Sequence, residues 1–332
     1  MIIFITGVAG FLGSHLADKC LKEGHTVIGV DNMSGGYREN VPEGVIFHEA
    51  DCLDQEAMRL LIKGVDVVYH CACTAYEGLS VFSPHYITQN TYGITTSVLS
   101  AAIHNKVKRF VFCSSMARYG SQATPFMETM TPQPQDPYGI AKYASELTIA
   151  NLCTTHGIEY VIAVPHNIIG PRQKYDDPYR NVASIMMNRM LQNKPAVIYG
   201  DGTQRRCFSF VSDVVDPLYL MSQLPLSGEV INIGPDDHFV SINQLSEIVA
   251  EMTSFKGSPI YFPDRPQEVR YATCCADKAR KLLNYCPQVS LHSGLKEMVE
   301  WIKEKGVKDF DYHIGIEIDS DLTPKTWTEK KI

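Results

Sequence analysis

The stretch IIFITGVAGFLG, residues 2–13, decides the fold of this chain. Residues 2–6 are apolar and rich in β-branched residues, as in a buried strand, and glycines follow at once at positions 7, 10 and 13. Glycines let the backbone of such a turn approach a pyrophosphate closely, while the N-terminus of a following helix offers free N–H groups to the phosphates. The stretch therefore predicts a nucleotide-binding strand, turn and helix.

A helical pattern and a second strand follow the glycine turn. Apolar residues recur at helical spacing from Leu12 to Cys20, Gly24 is a typical helix stop, and residues 25–30 have strand character. Asp31 ends that strand, where a carboxylate can accept hydrogen bonds from an adenosine ribose and would repel a 2′-phosphate. The sequence thus favours NAD over NADP. A glycine-rich turn beside a solvated aspartate is the alternative interpretation.

Strand-like and helical segments continue to alternate as far as residue 164. The strand-like segments are 45–50, 65–70, 109–113 and 160–164, and the helical patterns cover about 55–63, 84–105 and 136–156. This alternation predicts an α/β fold with a doubly wound, parallel Rossmann sheet. Ligands bind such sheets beyond the carboxyl ends of the strands.

The sequence changes character after residue 166. Gly, Pro and aromatic residues become more frequent, and the elements shorten to strand-like 196–199, 207–211 and 230–233 and helical 180–193, 212–222 and 242–253. We expect an NAD-binding domain at 1–166, a smaller α/β substrate lobe at 167–305 that is partly interleaved with it, and an extended surface tail at 306–332.

The composition is that of an ordinary globular protein. Of 332 residues, 45% are hydrophobic and 20% charged, and the net charge of -7 disfavours a nucleic-acid or anionic-membrane surface, which needs a clustered basic face. The ten cysteines form no CxxC pair and the eleven histidines no HExxH, so no metal site is expected. No run reaches the ~18 apolar residues of a membrane span, and a strand beginning at Ile2 leaves no room for a signal peptide. We therefore expect a cytoplasmic protein with reduced thiols.

Tyr138 and Lys142 lie four residues apart on a predicted helix and so share one face. An unperturbed tyrosine titrates near ~10, so acting as a base near neutral pH needs ~4 kcal/mol of stabilisation of the phenolate. The lysine charge and a cofactor cation could supply it together. The YxxxK spacing alone is a weak motif. It indicates a catalytic pair here because a nucleotide-binding glycine turn precedes it in the same chain.

Ser115 is a second catalytic candidate, because it directly follows a predicted strand and so lies at the same edge of the sheet. Its hydroxyl could hydrogen-bond a substrate hydroxyl and orient it toward both the tyrosine and the nicotinamide. Ordinary turn chemistry at a strand end is the alternative explanation for the pair Ser114 and Ser115.

Together, the TGxxGxxG turn, the acid at the second strand, the SS…YG segment at 114–120 and YxxxK at 138–142 resemble the extended short-chain dehydrogenase/reductase family, especially its nucleotide-sugar epimerases, over about residues 1–300. The resemblance implies NAD as cofactor and a triad of Ser115, Tyr138 and Lys142. Tyr138 would be the base, and Lys142 would hold the nicotinamide ribose and lower the pKa of the tyrosine. The implied cofactor-binding positions are Gly7, Gly10, Phe11, Leu12, Gly13, Asp31, Asn32, Asp51, Cys52, Cys71, Asn90, Tyr138 and Lys142.

The resemblance extends to substrate-binding residues in the second lobe. Asn167 stands in an N-x-x-G-P turn, Arg206 follows a GDG turn, and Arg265 with Glu268 fits an RPGD-like motif. Two arginines suit a diphosphate, since each offers bidentate, charge-assisted hydrogen bonds. The implied substrate-binding positions are Ser115, Asn167, Asn181, Val197, Tyr199, Arg206, Arg265 and Glu268.

Departures from the family pattern narrow the activity. The family's 4,6-dehydratases place two acids after the catalytic hydroxyl, where this chain has Met116 and Ala117, and the glutamate of decarboxylating relatives is also missing. His166 precedes the asparagine of the glycine-proline turn, and either sugar contact or packing would explain it. Ala272 falls near the position of a pocket-narrowing aromatic, where a small residue would admit an N-acetyl group, although Tyr271 leaves that alignment open by one residue.

These observations predict an NAD-dependent 4-epimerase of a UDP-sugar, either UDP-glucose/galactose or an N-acetylated form, acting through a transient 4-keto sugar. A UDP-uronate (glucuronate/galacturonate) 4-epimerase is the close alternative, because Arg172 and Lys174 could place positive charge near a C6 carboxylate. Against it, the family's uronate enzymes tend to carry threonine where Asn167 stands. A non-catalytic NAD- or sugar-nucleotide-binding protein is a third alternative, which the intact triad disfavours.

The resemblance also implies a homodimer, with the helices near 84–105 and 136–156 at the interface, and a role in nucleotide-sugar metabolism and polysaccharide biosynthesis.

Overall fold

A seven-stranded parallel sheet lies at the centre of the structure, a computed structural model that describes residues 1–237 and 239–332. Its strands are β1 (Ile2–Thr6), β2 (Thr26–Asp31), β3 (Ile46–Glu49), β4 (Val67–His70), β5 (Arg109–Cys113), β6 (Glu159–Pro165) and β11 (Glu229–Ile233). They lie in the order β11-β6-β5-β4-β1-β2-β3. The order reverses direction between β1 and β4, and that is where a doubly wound sheet opens a crevice for ligands. The α/β Rossmann fold predicted from the sequence is confirmed.

Seven shorter strands form three small sheets outside the central one, within the described residues. They are β7 (Ile168–Ile169), β8 (Val197–Tyr199), β9 (Arg205–Arg206), β10 (Ser209–Phe210), β12 (Val240–Ser241), β13 (Ile260–Phe262) and β14 (Tyr271–Ala272). β11 pairs with β6 although it comes from beyond residue 166, so the two parts of the chain share one sheet. The division at residue 166 itself stays a prediction.

Helices cover both faces of the central sheet. The α-helices are α1 (Phe11–Lys22), α2 (Gln55–Leu61), α3 (Glu77–Ser80), α4 (Pro84–Thr88), α5 (Ile94–His104), α6 (Pro137–His156), α7 (Val182–Leu191), α8 (Val211–Gln223), α9 (Ile242–Thr253), α10 (Asp277–Leu283), α11 (Leu291–Lys305) and α12 (Lys325–Thr328). Successive side chains of β1 enter opposite cores: Phe4 packs with residues of α2, α5 and α6, whereas Ile3 and Ile5 pack with α1 and α8. Burial on both faces explains why the strands are almost continuously apolar.

Most predicted elements are present, with three differences. The helical pattern at 84–105 is divided into α4, a π-helical turn at Gln89–Gly93, and α5. The strand expected at 207–211 shrinks to β10, because α8 already begins at Val211. The elements that were not predicted at all are helices α3, α10, α11 and α12 and the short strands β7, β9, β12, β13 and β14.

Apart from α12, the tail at 306–332 is irregular, and it does more than lie over the surface. Trp327 is buried in a cluster with Tyr76, Phe82 and Tyr179. Ile332 lines the cavity described below. The tail therefore forms part of the wall of that cavity.

Within the described part of the chain, no helix has both the length and the apolar character required to cross a membrane.

Candidate active site

The glycine turn leads from β1 into α1 at the point where the strand order reverses. A Cβ atom built on Gly13 would lie 2.2 Å from the carbonyl oxygen of Gly7, so only glycine lets the helix pack this closely on the turn. Gly10 is the N-cap of α1 and brings no side-chain acceptor. The first N–H groups of the helix, at Phe11 and Leu12, are therefore left to bind an anion from outside the chain, which fits a dinucleotide diphosphate.

Asp31 ends β2 beside this turn and is held by its backbone. Its carboxylate accepts hydrogen bonds from the N–H groups of Ala9 at 3.0 Å and Met33 at 2.8 Å. Burial raises the pKa of Asp31, while the N–H groups act in the opposite direction. Next to it, Asn32 donates a hydrogen bond of 3.0 Å to Asp51. These polar groups form the end of the cleft where the adenosine of NAD was predicted to lie.

One cavity of about 430 Å³ runs from the glycine turn along the carboxyl edge of the sheet into the second part of the chain. Every predicted cofactor- and substrate-binding residue lines it. They are Gly7, Gly10, Phe11, Leu12, Gly13, Asp31, Asn32, Asp51, Cys52, Cys71, Asn90, Ser115, Tyr138, Lys142, Asn167, Asn181, Val197, Tyr199, Arg206, Arg265 and Glu268. The individual roles of these residues stay predictions.

Tyr138 and Lys142 lie in the first two turns of α6 and face this cavity. Asp136 caps the helix by accepting a hydrogen bond of 2.9 Å from the N–H group of Gly139. A Cβ atom on Gly139 would lie 2.8 Å from the carbonyl oxygen of Ala117. Because glycine stands there, α6 comes close enough to the segment after β5 to bring the tyrosine to Ser115.

Tyr138 is only 4% exposed, and the groups around it shift its pKa in opposite directions. Burial raises the pKa of Tyr138 well above its usual value, whereas hydrogen bonding to Ser115 and the charge of Arg180 lower it. The Nζ atom of Lys142 lies 5.9 Å from the centre of the phenol ring. Turning this buried tyrosine into a base therefore requires cationic charge beside it.

The structure separates the two neighbouring serines. Ser114 is buried and donates a hydrogen bond to Glu146, which forms an ion pair of 2.9 Å with Arg118. Ser115 lines the cavity and its hydroxyl oxygen accepts a hydrogen bond of 3.2 Å from the N–H group of Ala117. Both serines border the cavity, but the Ser114 hydroxyl is already bonded to Glu146, so Ser115 is the hydroxyl that stays available to a substrate.

The opposite end of the cavity carries two arginines and one acid. Glu268 lies 3.1 Å from the Nε atom of Arg265 and 3.8 Å from an Nη atom of Arg206. Although burial disfavours the charged carboxylate, both arginines lower the pKa of Glu268 below its usual value. Arg206 also donates hydrogen bonds to the carbonyl oxygens of Val269 and Arg270. The acid keeps both guanidinium groups together at this end of the cavity.

Asn167 and Asn181 line the cavity and also stabilise the backbone. Asn167 donates a hydrogen bond of 3.1 Å to the carbonyl oxygen of Cys207, and Asn181 caps α7 by accepting one of 2.8 Å from Ala183. Part of the hydrogen-bonding capacity of each amide is therefore used within the protein.

Several lining residues were missed by the sequence analysis. They include Cys73, Thr74, Tyr76, Glu77, Gln173, Asp177, Tyr179, Arg180 and Phe208. Glu77 and its neighbours follow β4 at the carboxyl edge, and this position was the one sequence feature that could have indicated them. The residues at 173–180 reach the cavity only through the folding of the second part of the chain.

Other expectations about the pocket are corrected. Ala272 belongs to the packed core and Tyr271 is exposed, and neither is among the described residues that line the cavity. Ala272 therefore does not set the size of the sugar site. His166 is buried and hydrogen-bonds the carbonyl oxygen of Ala272 through Nε2 at 2.9 Å, so packing explains it.

The two cations proposed for a uronate are already paired. Arg172 lies 2.6 Å from a carboxylate oxygen of Asp18, and Lys174 lies 3.1 Å from one of Asp176. Met116, which stands where a dehydratase has an acid, is buried outside the described lining of the cavity. Lys174 lines the cavity whereas Arg172 is not among its described lining residues, so these two cations do not decide between an uncharged sugar and a uronate.

Comparison with known proteins agrees with the fold. The chain is 31% identical to the UDP-glucose 4-epimerase of Mycolicibacterium smegmatis, covering 92% of this chain and 99% of that protein. It is also 31% identical to a UDP-N-acetyl-alpha-D-glucosaminuronate decarboxylase of Bacillus cytotoxicus, covering 90% and 97%. Sequence identity at this level therefore does not separate the activities.

A solved structure also has the same fold as this chain. The crystal structure of UDP-glucose 4-epimerase with UDP-glucose from Thermotoga maritima superposes with a TM-score of 0.86 at 35% identity, covering 92% of this chain and 99% of that one. A model of the NAD dependent epimerase/dehydratase family matches residues 3–234. Together with the glycine turn, Asp31 and the YxxxK pair, these matches confirm the resemblance seen in the sequence: the chain belongs to the NAD dependent epimerase/dehydratase family.

Proposed function

We propose that this chain is an NAD-dependent 4-epimerase of a UDP-sugar whose sugar ring is uncharged. One observation carries the proposal: Ser115, Tyr138 and Lys142 face the same cavity as the glycine turn at one end and the arginine pair, Arg206 and Arg265, at the other. A cofactor and a sugar nucleotide can therefore meet at the tyrosine.

NAD fits the first end of the cavity. The N–H groups of Phe11 and Leu12 would bind its diphosphate, Asp31 its adenosine ribose, and Lys142 its nicotinamide ribose. When bound, NAD supplies the two-electron oxidation and re-reduction of the sugar at C4.

Tyr138 would accept the proton of the C4 hydroxyl and later return it. Ser115 would orient that hydroxyl, because its own oxygen lies beside the phenol. The positive charge of Lys142, 5.9 Å from the ring, stabilises the phenolate against the cost of burial. The residues of this chain thus provide the proton transfer that accompanies oxidation at C4.

Arg206 and Arg265 would hold the diphosphate of the substrate. Their guanidinium groups can each form two parallel hydrogen bonds to phosphate oxygens. Glu268, which keeps them together, would contact the nucleotide ribose. Anchored through its nucleotide and diphosphate, a 4-keto sugar can present its other face for re-reduction, which inverts C4.

A homodimer is part of the proposal. Ile140 and Leu147 lie seven residues apart on α6 and are 53% and 54% exposed. Two such helices from two copies would bury these side chains against each other, at the interface that the family resemblance implies. Light scattering on Leu147→Glu should show a shift from dimer to monomer, whereas a monomeric wild-type protein would contradict the proposal.

Purified protein incubated with UDP-glucose, UDP-N-acetylglucosamine or UDP-glucuronate, without added NAD, tests the function. We expect NMR to show a 4-epimer of at least one uncharged sugar. The Tyr138→Phe variant should lose at least about 100-fold in turnover, the usual range for a general base, while keeping its NAD. Tyr143→Phe, a tyrosine of the same helix outside the cavity lining, is the matched control. No 4-epimer from any substrate, or release of a 4-keto-6-deoxy sugar, would refute the proposal.

A further inference from the structure

Glu77 is an acid that the mechanism above does not use. It is the first residue of α3, just beyond the carboxyl end of β4, and it lines the cavity. Among the described residues, its carboxylate forms no hydrogen bond and no ion pair. Its side chain is solvent-accessible and lines the cavity, so the carboxylate is free to meet a substrate.

Glu77 lies within electrostatic reach of groups at both ends of the substrate site. The charges that act on Glu77 come from Asp136, Arg206, Arg265 and Glu268, and Glu77 in turn acts on Tyr138. Gly78, the next residue, packs closely against Arg265. A Cβ atom on Gly78 would lie 3.3 Å from an Nη atom of that arginine. Glu77 therefore stands where a sugar ring passes between its diphosphate and its reacting hydroxyl.

Glu77 is exposed and lines the cavity, and the protein atoms crowded around its carboxylate restrict the water there. Burial raises the pKa of Glu77 to about 7, the charge of Asp136 adds to this, and Arg206 and Arg265 act in the opposite direction. The carboxyl group is thus mostly charged at pH 8 and mostly protonated at pH 6.

We propose that Glu77 determines sugar specificity: its carboxylate accepts hydrogen bonds from the hydroxyl groups of an uncharged sugar and repels a sugar that carries a C6 carboxylate. The inference rests on the proposed epimerase function and names its substrate class. The alternative is that Arg180 binds the C6 carboxylate of a uronate, since the charge of Arg180 also acts on Tyr138 in this cavity. That guanidinium already donates a hydrogen bond of 3.2 Å to the carbonyl oxygen of Ala75, and Asp177 offsets its charge.

The experiment compares kcat/KM for the best uncharged UDP-sugar and for UDP-glucuronate in the wild type and in Glu77→Gln at pH 8. We expect the wild type to favour the uncharged sugar by at least about tenfold and Glu77→Gln to narrow that ratio by about tenfold, since like charges placed together cost several kcal/mol. The wild-type ratio should also narrow at pH 6. Glu247→Gln, an exposed glutamate of α9, should leave the ratio unchanged.

A binding measurement separates this inference from the proposed function. Calorimetry measures the affinities of the uncharged UDP-sugar and of UDP-glucuronate for the Tyr138→Phe variant and for the double variant that also carries Glu77→Gln. The ratio of the two affinities should narrow in the double variant by about the same factor as the ratio of kcat/KM. Glu77→Ala provides a second variant if the glutamine form is unstable, and thermal melting checks both.

Two results would overturn the inference while leaving the epimerase intact. One is a wild type that epimerises UDP-glucuronate as well as the uncharged sugars. The other is a Glu77→Gln variant that changes both substrates by the same factor. If the wild type epimerises nothing, the proposed function fails, and the calorimetric comparison alone decides the role of Glu77.

Discussion

Lys142 donates a hydrogen bond of 2.6 Å from its Nζ atom to the carbonyl oxygen of Cys113. The lysine belongs to α6 and the cysteine ends β5, so this bond ties the helix that carries Tyr138 to the strand that leads to Ser115. The same ammonium group lies 5.9 Å from the Tyr138 ring. Lys142 therefore both positions the site and brings positive charge to it.

Replacing Lys142 with methionine should cost activity and stability together. We expect turnover to fall by at least about 100-fold, because the phenolate loses the cation that lies 5.9 Å from the centre of its ring. Stability should fall by about 1–3 kcal/mol, because the Cys113 carbonyl loses its partner. Kinetics, bound NAD per chain and urea unfolding measure these effects. The control Lys108→Met removes an exposed ion pair with Asp66 and should change stability by less than about 1 kcal/mol.

Asp31→Asn should weaken the discrimination between NAD and NADP. The variant keeps an acceptor for the N–H group of Ala9 but loses the charge that repels a 2′-phosphate. Fluorescence titration with NADH and NADPH should show a clear preference for NADH in the wild type, reduced by about tenfold or more in the variant. Glu49 is the residue of β3 that stands opposite Asp31 in the sheet. Removing its charge in Glu49→Gln should have little effect on the preference for NADH over NADPH. Equal affinity for both dinucleotides in the wild type would contradict the role of Asp31.

Trp327→Ala should show that the tail supports the substrate site. The indole is 2% exposed, with ring centres 5.6 Å from Tyr179 and 6.0 Å from Phe82. Removing it from this cluster should cost about 3–5 kcal/mol in unfolding free energy. We also expect a higher KM, because the adjacent Thr326 hydrogen-bonds the cavity residue Tyr199 at 2.5 Å. Leu322→Ala, at a side chain that is 69% exposed, should leave both quantities unchanged.

Stability should fall in mild acid because of buried histidines. Burial lowers the pKa of His166 from 6.5 to about 4 and that of His70 to about 3. Between pH 4 and 6.5 the unfolded chain therefore takes up protons that the folded chain refuses, so this stability is complete above pH 6.5 and is lost as the pH falls.

His166→Gln should reduce that pH dependence. The variant keeps a donor for the Ala272 carbonyl and removes one titrating group, which contributes at most about 1.4 kcal/mol per pH unit. Urea unfolding at pH 7, 6, 5 and 4.5 measures the slope. The exposed His85, changed to Gln, should leave the slope as in the wild type. An unchanged slope in His166→Gln would show that this histidine is already charged in the fold.

Much of the fold and site could be predicted because the decisive patterns are local. The strand before Gly7, the helix after it and the acid at the end of β2 lie within the first 31 residues, so their spacing alone indicates a dinucleotide turn. Tyr138 and Lys142 share a helix face by periodicity, and the parallel sheet places the ends of its strands at one edge.

Other features of the site depend on contacts between distant parts of the chain. The Glu146 carboxylate takes Ser114 out of the reaction and leaves Ser115, a choice that two adjacent serines cannot reveal. Arg172 forms an ion pair with Asp18, which is far from it in sequence, and it is not among the described residues that line the cavity. Trp327, in a tail without periodicity, is buried only because Phe82 and Tyr179 meet there.

The sequence by itself determined the Rossmann sheet, the nucleotide turn and the tyrosine-lysine pair, because backbone propensity and periodicity act over a few residues. Only the tertiary structure decided which charges are free to meet a substrate. Burial and pairing depend on neighbours brought in from elsewhere in the chain, and these neutralise Arg172 and Lys174 but leave Glu77 unpaired in the cavity.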